Sequence, residues 1–211
     1  MFLLIIPAYL IGAIPTGLIV ARLGYGVDIR GQGSGNIGAT NVHRVLGPGA
    51  GLLVYAIDFL KGALVVAGPV WLFAGRVGLP LSVDTDGAFV VVGLAGAVII
   101  GNMFSIFIKG KGGKGVGVAS GVLLVMVPEI AGILLIVWLS VRAATRYVSV
   151  ASLSIAAIFP VLMWIYHGSN TSYIAFSVVS SALVFYSHRG NIARLIAGTE
   201  LRYDQGVDKT I

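Results

Sequence analysis

The chain has 211 residues, of which 57% are hydrophobic and 10% charged, and its formal net charge is +6. A soluble domain carries about 25% charged residues, so this composition excludes an ordinary soluble protein and predicts an integral membrane protein. The chain has no cysteine, which excludes disulfides, thiol nucleophiles and thiolate metal sites. With so little polar surface, the basic excess indicates cations held at one membrane face rather than nucleic-acid binding.

Apolar segments recur along the chain, and a membrane crossing takes about 20 such residues. Four segments are long enough and a fifth is shorter but strongly apolar: 2–23, 49–73, 88–108, 148–166 and 173–186. The segment 115–141 is interrupted by Pro128 and Glu129, so it gives either one kinked crossing or two short ones. The predicted fold is therefore all-α, with six or seven crossings.

The positions of the charged residues favour seven crossings. With the N-terminus outside, the odd-numbered loops and the tail are cytoplasmic, and they hold Arg22, Arg30, Arg44, Lys109, Lys111, Lys114, Arg142, Arg146, Arg189, Arg194, Arg202 and Lys209. The outer loops hold only Arg76, near Asp84 and Asp86. Six crossings would break this positive-inside pattern. We expect one polytopic membrane domain, residues 1–211, with seven transmembrane helices, the N-terminus outside and the C-terminus cytoplasmic.

The end of the chain, about 188–211, is predicted to be a short amphipathic tail at the cytoplasmic interface. Its apolar residues recur at near-helical spacing among arginines. They are Ile192, Leu195, Ile196 and Leu201.

The first cytoplasmic loop, 31–44, combines glycines with hydrogen-bond donors. Glycines allow successive backbone N–H groups to converge on an anion, and here they are Gly33, Gly35 and Gly38. Arg44 adds a planar fork suited to phosphate. Neutral polar groups come from Ser34, Asn36, Thr40 and Asn41. The alternative is a merely flexible loop; dinucleotide binding is rejected because a transmembrane helix, not a strand, precedes the glycines.

The loop 109–115 places three lysines among glycines, Lys109, Lys111 and Lys114, with Gly112 and Gly113 between the last two. This pattern favours a phosphate site, although it is not a Walker A loop. The alternative is a plain positive-inside anchor.

Further polar groups lie near the same face or inside the membrane. Asp58 and Lys61 are three residues apart on one helix face, and we expect them to pair because a lone charge in the membrane is costly. The pair either is structural or lines a pocket. Candidate lining groups at the inner corners are Ser149, Ser152, His188 and Asn191.

These motifs together resemble the PlsY family, the bacterial acyl-phosphate:glycerol-3-phosphate acyltransferases. The matching segments occur in family order over nearly the whole chain: 33–44, 58–62, 111–116, 146–152 and 188–195. The resemblance implies seven crossings and transfer of a fatty acyl group from acyl phosphate to the 1-hydroxyl of sn-glycerol 3-phosphate. It also implies a multi-pass protein of the bacterial cytoplasmic membrane, acting as a monomer among membrane lipids, without cofactor, metal or nucleic acid.

The motifs and the resemblance together give the expected site residues. Catalytic residues are expected to be Ser34, Arg44, Lys114, His188 and Asn191. Substrate-binding residues are expected to be Gly33, Gly35, Asn36, Gly38, Thr40, Asn41, Lys61, Lys111, Gly112, Gly113, Ser149 and Ser152.

Three positions depart from the family pattern. Asn102 and Ser105 stand where the family usually has Gly-His and Pro, and Gly190 stands where a glutamate is usual. These departures leave open a non-catalytic paralogue or one with an altered acceptor. A phosphoester transporter is the rival class, but the sequence shows no internal repeat of the kind that transporters often have.

For the reaction mechanism we favour direct attack by the glycerol hydroxyl, with substrate phosphate accepting the proton. The alternatives are His188 as the general base and an acyl-enzyme formed on Ser34.

Overall fold

A computed structural model of the chain describes residues 2–74 and 85–203. Within these ranges the structure is helical, with two short 3₁₀ turns and no strand. The helices are α1 (Phe2–Ala13), α2 (Thr16–Tyr25), α3 (Ala39–Leu46), α4 (Pro48–Ala74), α5 (Thr85–Met103), α6 (Val116–Met126), α7 (Pro128–Thr145), α8 (Val148–His167), α9 (Thr171–Ser187) and α10 (Arg189–Ile196). The predicted all-α class is confirmed. Arg76, Asp84 and Lys209, used in the charge argument, lie outside the described residues.

Five helical segments in the described ranges are long and apolar enough to cross a membrane. They are Leu3–Tyr25, Pro48–Gly68, Gly87–Ile108, Pro128–Thr145 and Val148–His167. Two further helices, α6 and α9, are apolar but shorter. The ambiguous segment 115–141 is therefore two helices, which separate at Val127 immediately before Pro128. A proline at the first position of a helix is well tolerated because its missing N–H has no intrahelical partner there.

The first crossing segment is not the uninterrupted helix that its composition predicts. It breaks between α1 and α2 because Pro15 has no N–H to continue the helical hydrogen bonds. Lys61 donates from Nζ to the carbonyl oxygen of Ile14 at 2.7 Å and to Asp58 Oδ1 at 2.9 Å. Asp58 Oδ1 also accepts from the Thr16 hydroxyl at 2.7 Å. The predicted Asp58–Lys61 ion pair is thus present, and it satisfies polar groups at the break.

Helices α1 and α5 run parallel in close contact. Residue numbers rise together along their interface: Gly93 faces Ile5, Gly101 faces the carbonyl of Tyr9, and the Ser105 hydroxyl donates to the carbonyl of Ala13 at 2.5 Å. Helix α4, which lies between them in the chain, runs in the opposite direction: Lys61 bonds Ile14 just past the end of α1, whereas Val65 packs against the cluster that contains Ala8.

Helices α4 and α6 also run parallel, since Gly117 faces Tyr55 and Gly121, one turn later, faces Phe59. Two glycines set their separation. A Cβ on Gly62 would lie 2.0 Å from the carbonyl oxygen of Val118, and a Cβ on Gly121 would lie 2.0 Å from that of Phe59. Small residues at such contacts allow close backbone approach, a common device in membrane helix packing.

Helices α7, α8 and α9 run antiparallel to one another in turn and are joined by short links. His167 at the end of α8 bonds Glu129 at the start of α7 at 2.8 Å, and the rings of Phe159 and Phe176 pack edge to face between α8 and α9. This arrangement brings the α5–α6 loop, the α7–α8 link and the end of α9 to the same end of the bundle as the α2–α3 loop.

The tail helix is shorter than its apolar spacing predicts. Helix α10 ends at Ile196, and Gly198 with φ +69° turns the chain back toward the bundle. We call residues 199–203 the strap. Leu201 therefore does not extend the amphipathic helix but lines the cavity described next.

Candidate active site

One cavity of about 650 Å³ opens among the loops at this end of the bundle and extends between the helices. We call it the main cavity. Its polar end is lined by Ser34, Arg44, Lys114, His188, Asn191, Arg194 and Glu200. Its deeper walls are apolar, formed by Leu123, Leu134, Leu135, Trp138, Ile155, Phe159 and Phe176. A single space thus joins a cationic region to one that suits a hydrocarbon chain.

The first loop owes its shape to Asn41. The Asn41 carboxamide accepts from the N–H of Ser34 at 2.8 Å and donates to the carbonyl of Gln32 at 2.9 Å. Gly33 has φ +56°, and a Cβ there would lie 2.4 Å from Asn41 Oδ1, so this position requires glycine. Asn41 lines the cavity, but its buried amide is occupied in holding the loop.

The loop leads into α3, whose first turn borders the main cavity. Gly38 caps α3, and its N–H donates to Asn36 Oδ1 at 2.8 Å. Ala39 and Thr40 follow on the cavity wall. A helix N-terminus presents free N–H groups and a partial positive charge, which together favour an anion.

Arg44 projects from α3 into the same space. Its Nε is buried and has no hydrogen-bond partner among the described residues. Burial lowers the pKa of its guanidinium, with Glu200 opposing and Arg194 adding to that change; arginine nevertheless stays charged in proteins. A buried guanidinium donor without a partner is suited to an anionic ligand.

The lysine loop is shaped by the end of α5. Gly113 and Gly112 donate their N–H groups to the carbonyl oxygens of Asn102 and Met103 at 2.8 and 3.1 Å. The Asn102 side chain in turn accepts from the N–H of Gly115 at 3.2 Å. Asn102, one of the departures from the family pattern, is therefore built into the support of this loop. Ser105, which also departs from the family pattern, donates its hydroxyl hydrogen bond to the carbonyl oxygen of Ala13 in α1.

Lys114 is held in the main cavity by Asn191. Its Nζ donates to Asn191 Oδ1 at 2.5 Å. Burial lowers the pKa of Lys114 to about 8, partly opposed by Glu200, while Arg194 and Arg44 lower it further. The ammonium is therefore charged at neutral pH but loses its proton more easily than an exposed lysine.

His188 lies buried where α9 ends and α10 begins, and it is 2% exposed. Its Nδ1 lies 2.8 Å from the carbonyl oxygen of Val184; because a carbonyl only accepts, Nδ1 carries the proton and Nε2 is left as an acceptor. Burial and the charge of Lys114 lower the pKa of His188 to about 4. The imidazole is neutral at physiological pH.

Glu200 is the functional candidate that the sequence did not reveal. Its side chain is 6% exposed and lies in the main cavity. It receives hydrogen bonds from Ser149, Asn191 and Arg194. Gly190 stands where the family usually has a glutamate, and in the structure Glu200 from the strap pairs with Arg194. No pattern in the sequence links a residue of the tail to this position.

A second cavity, about 430 Å³, adjoins the first. Its walls include the lysine loop from Gly110 to Lys114, the departure residue Gly190, and Arg189. The two cavities share Ser34, Asn36, Gly113, Lys114, Asn191 and Arg194. The two cavities therefore adjoin each other and share cationic walls.

The structure brings most predicted site residues together and leaves a few aside. The main cavity collects Ser34, Asn36, Gly38, Thr40, Asn41, Arg44, Gly113, Lys114, Ser149, Ser152, His188 and Asn191. The second cavity adds Lys111 and Gly112. Gly33 and Gly35 shape the loop behind these walls, and Lys61 bonds the break in the first crossing segment instead of lining either cavity. Ser152 accepts from Trp138 Nε1 at 3.3 Å.

A metal-binding cluster is not found in the described residues, where no three His, Cys, Asp or Glu side chains lie close enough to share an ion. The positive charge at the polar end of the main cavity comes from Arg44, Lys114, Arg142 and Arg194, with Glu200 as the opposing carboxylate. This arrangement can bind phosphate groups and hold a reacting carbonyl near several hydrogen-bond donors.

Comparison with known proteins decides the family. Residues 2–198 match the family model described as glycerol-3-phosphate acyltransferase. The chain belongs to this family. Its members include curated glycerol-3-phosphate acyltransferases from Bacillus cytotoxicus, 41% identical over 94% of this chain and 93% of the relative, and from Moorella thermoacetica, 42% identical over 94% and 95%.

Solved structures of the family share the fold. One is a crystal structure of PlsY, described as an integral membrane glycerol 3-phosphate acyltransferase, in its glycerol 3-phosphate form. It matches the present chain with a TM-score of 0.83 and 38% sequence identity, over 95% of this chain and 94% of the PlsY chain. The lysophosphatidic acid form of PlsY matches with a TM-score of 0.81 and 37% identity, over 97% and 95%. The resemblance to the PlsY family inferred from the motifs is confirmed.

Proposed function

We propose that the protein transfers a fatty acyl group from an acyl phosphate to the 1-hydroxyl of sn-glycerol 3-phosphate, giving lysophosphatidate and inorganic phosphate. The observation that carries this proposal is the continuity of the main cavity, from a cationic end to an apolar interior. Acyl phosphate needs both environments at once, since it joins a phosphate to a hydrocarbon chain. The glycerol 3-phosphate and lysophosphatidic acid forms of the PlsY neighbours support the acceptor and the product.

Two phosphate positions account for the two substrates. Ser34, Asn36 and the N–H groups of the first loop bind the phosphate of the donor. Arg44, Lys114, His188 and Asn191 orient glycerol 3-phosphate. Support comes from the unpartnered Nε of Arg44 and from the shared walls of the adjacent cavities. The remaining polar groups near these walls, Thr40, Lys111 and Ser149 among them, complete the binding region.

The reaction proceeds by direct attack. The 1-hydroxyl oxygen of the acceptor bonds to the acyl carbon, the bond from that carbon to the phosphate oxygen breaks, and phosphate leaves with the electron pair. The hydroxyl proton passes to a phosphate oxygen. Burial and the charge of Lys114 lower the pKa of His188 to about 4, so its imidazole is a weak general base, and the proposal assigns the proton to substrate phosphate. Arginine, lysine and backbone N–H groups stabilise the developing oxyanion.

The same proposal includes a topology of seven crossings with the N-terminus outside and the cavity facing the cytoplasm. The parallel pairs α1 with α5 and α4 with α6 fit this alternation of directions. The site loops and their cations then lie on one side, as the positive-inside rule requires. We further propose that the protein acts as a monomer in the bacterial cytoplasmic membrane, with its tail at the inner interface, and uses neither cofactor nor nucleic acid.

The test is a donor comparison with purified protein in detergent or lipid mesophase. Labelled glycerol 3-phosphate is combined with palmitoyl phosphate, palmitoyl-CoA or palmitoyl acyl carrier protein in parallel reactions. Lysophosphatidate formed from palmitoyl phosphate alone is the expected result. Formation from a thioester donor would contradict the acyl-phosphate assignment. Absence of product from all three, with a folded protein, would favour the non-catalytic paralogue.

A further inference from the structure

Glu200 makes three hydrogen bonds inside the polar end of the main cavity. Its Oε1 accepts from Ser149 Oγ at 2.8 Å and from Asn191 Nδ2 at 2.5 Å. Its Oε2 accepts from Arg194 Nε at 2.8 Å. These donors come from α8 and α10, so one carboxylate joins two helices across the site.

The carboxylate also fixes which way the Asn191 amide points. An ionised carboxylate only accepts hydrogen bonds and an ammonium only donates them. Asn191 must therefore turn Nδ2 toward Glu200 and Oδ1 toward Lys114, and Lys114 Nζ donates to that oxygen at 2.5 Å. Through Asn191, Glu200 sets the position of an ammonium group to which it is not itself bonded.

Glu200 is held in place by the strap that carries it. Tyr203 donates its N–H to the carbonyl of Arg146 at 2.9 Å, and its ring stacks on His43 at 4.5 Å. The guanidinium of Arg142 lies 3.7 Å from the centre of the same ring. The strap is therefore anchored to α3, α7 and the α7–α8 link on either side of the cavity.

The other carboxylate that lines the main cavity is already engaged. Asp58 pairs with Lys61 and accepts from Thr16. Glu200 thus faces the cations Arg44, Lys114 and Arg194 without a second free carboxylate among the residues lining the two cavities. The match to the family model ends at residue 198, so Glu200 lies beyond it.

We propose that Glu200 is a positioning residue for the acceptor substrate, orienting Asn191, Lys114 and Arg194 for the phosphate of glycerol 3-phosphate. This inference rests on the proposed function. Two effects of the carboxylate oppose each other: its charge repels phosphate, and its hydrogen bonds order the groups that bind phosphate. Positioning dominates because removal of the carboxylate leaves the buried donors of Ser149 and Asn191 unpaired, and unpaired buried groups are costly.

The test measures the KM for each substrate separately in Glu200→Ala and Glu200→Gln. The glutamine variant preserves side-chain shape and retains one oxygen, which can serve the Asn191 side or the Arg194 side but not both. We expect the KM for glycerol 3-phosphate to rise about tenfold in Glu200→Ala and less in Glu200→Gln, with the KM for palmitoyl phosphate changed by less than about twofold. Glu129→Gln is the matched control, because Glu129 pairs with His167 at the opposite end of the bundle.

A lower KM for glycerol 3-phosphate would overturn the proposal, because charge repulsion would then dominate. Unchanged values in both variants would also overturn it, as would equal changes for both substrates accompanied by lower thermal stability. If Glu200→Ala does not fold, the shape-preserving glutamine variant decides.

A second readout separates this inference from the proposed function. Protection by glycerol 3-phosphate against heat unfolding, followed by tryptophan fluorescence, requires no turnover. We expect weaker protection in the Glu200 variants than in the parent and in Glu129→Gln. A parent that is protected but transfers no acyl group would contradict the proposed reaction alone. Equal protection of parent and Glu200 variants would contradict the role of Glu200.

Discussion

Arg44 shows at the scale of single residues what the sequence predicts and what it does not. Its type and its place after a glycine-rich loop indicate a phosphate ligand, and the structure places its buried Nε in the main cavity. Asn41 has an equally suggestive type and position, yet its amide holds the loop. Glu200 gives no sequence signal at all, because its role depends on how the strap folds back. Residue type predicts a chemical capacity, and only the fold determines which partner uses it.

Replacing Arg44 is the most direct residue-level test of phosphate binding. Arg44→Ala should lower kcat/KM by about 100-fold or more, since it removes a charged donor from the site of developing charge. Arg22→Ala is the control, because Arg22 is an exposed cation paired with Asp28. Steady-state acyl transfer measures both. Similar losses in the two variants would mean that Arg44 contributes only a general surface charge.

Lys114 should control the alkaline side of the pH profile. Its pKa is lowered to about 8, first by burial, and the charged form is the one that binds phosphate. The lysine is protonated below that pKa, so kcat/KM for glycerol 3-phosphate should fall as the pH rises through about 8. In Lys114→Arg, whose guanidinium stays charged, this decline should disappear. An unchanged decline in that variant would assign it to another group.

At the scale of helices, apolar runs in the sequence predict where the helices lie, and proline positions predict where some of them end. Pro128 predicted a possible break, and the structure has one at Val127. The break at Pro15 was missed because the apolar run continues across it without a change in composition. The break at Pro15 is stabilised by Lys61, which is distant in sequence and donates a hydrogen bond to the carbonyl oxygen of Ile14. A local sequence pattern cannot predict a hydrogen bond from a residue so distant in the chain.

Helices α8 and α9 should limit the length of the acyl chain. Phe159 and Phe176 pack edge to face with ring centres 6.2 Å apart and line the deep part of the main cavity. Phe159→Ala should raise the rate with stearoyl phosphate relative to palmitoyl phosphate by about tenfold, because the smaller side chain leaves room for a longer acyl chain. One methylene in a fitted apolar pocket changes the discrimination between substrates by about tenfold or more. Trp164→Ala, on the exposed face of the same helix, should leave the ratio unchanged. An unaltered ratio in Phe159→Ala would place the end of the chain elsewhere.

The contact between α4 and α6 should tolerate no side chain at Gly62. A Cβ there would lie 2.0 Å from a backbone oxygen, whereas Gly68 in the same helix has open space. Gly62→Val should lower the free energy of unfolding by about 2 kcal/mol or more, because overpacking forces the helices apart. Thermal unfolding in detergent compares it with Gly68→Val. Equal stability of the two variants would contradict the close approach of α4 and α6.

At the scale of the whole molecule, the charge pattern and the fold agree. The loops that carry the cations meet at one end of the bundle, and both cavities open there. A transporter would need a path to the opposite face, whereas the described cavity joins a polar end to an apolar interior. In the proposed reaction the acyl chain comes from the membrane and glycerol 3-phosphate comes from the cytoplasm.

The decisive measurement places the protein in proteoliposomes that contain palmitoyl phosphate, with labelled glycerol 3-phosphate in the outside medium. Counting the label in the extracted lipid and in the enclosed water separates acyl transfer from transport. We expect label in lysophosphatidate in the lipid, with no protein-dependent entry of glycerol 3-phosphate. Protein-dependent accumulation of unmodified glycerol 3-phosphate inside the vesicles, with no labelled lipid, would contradict it.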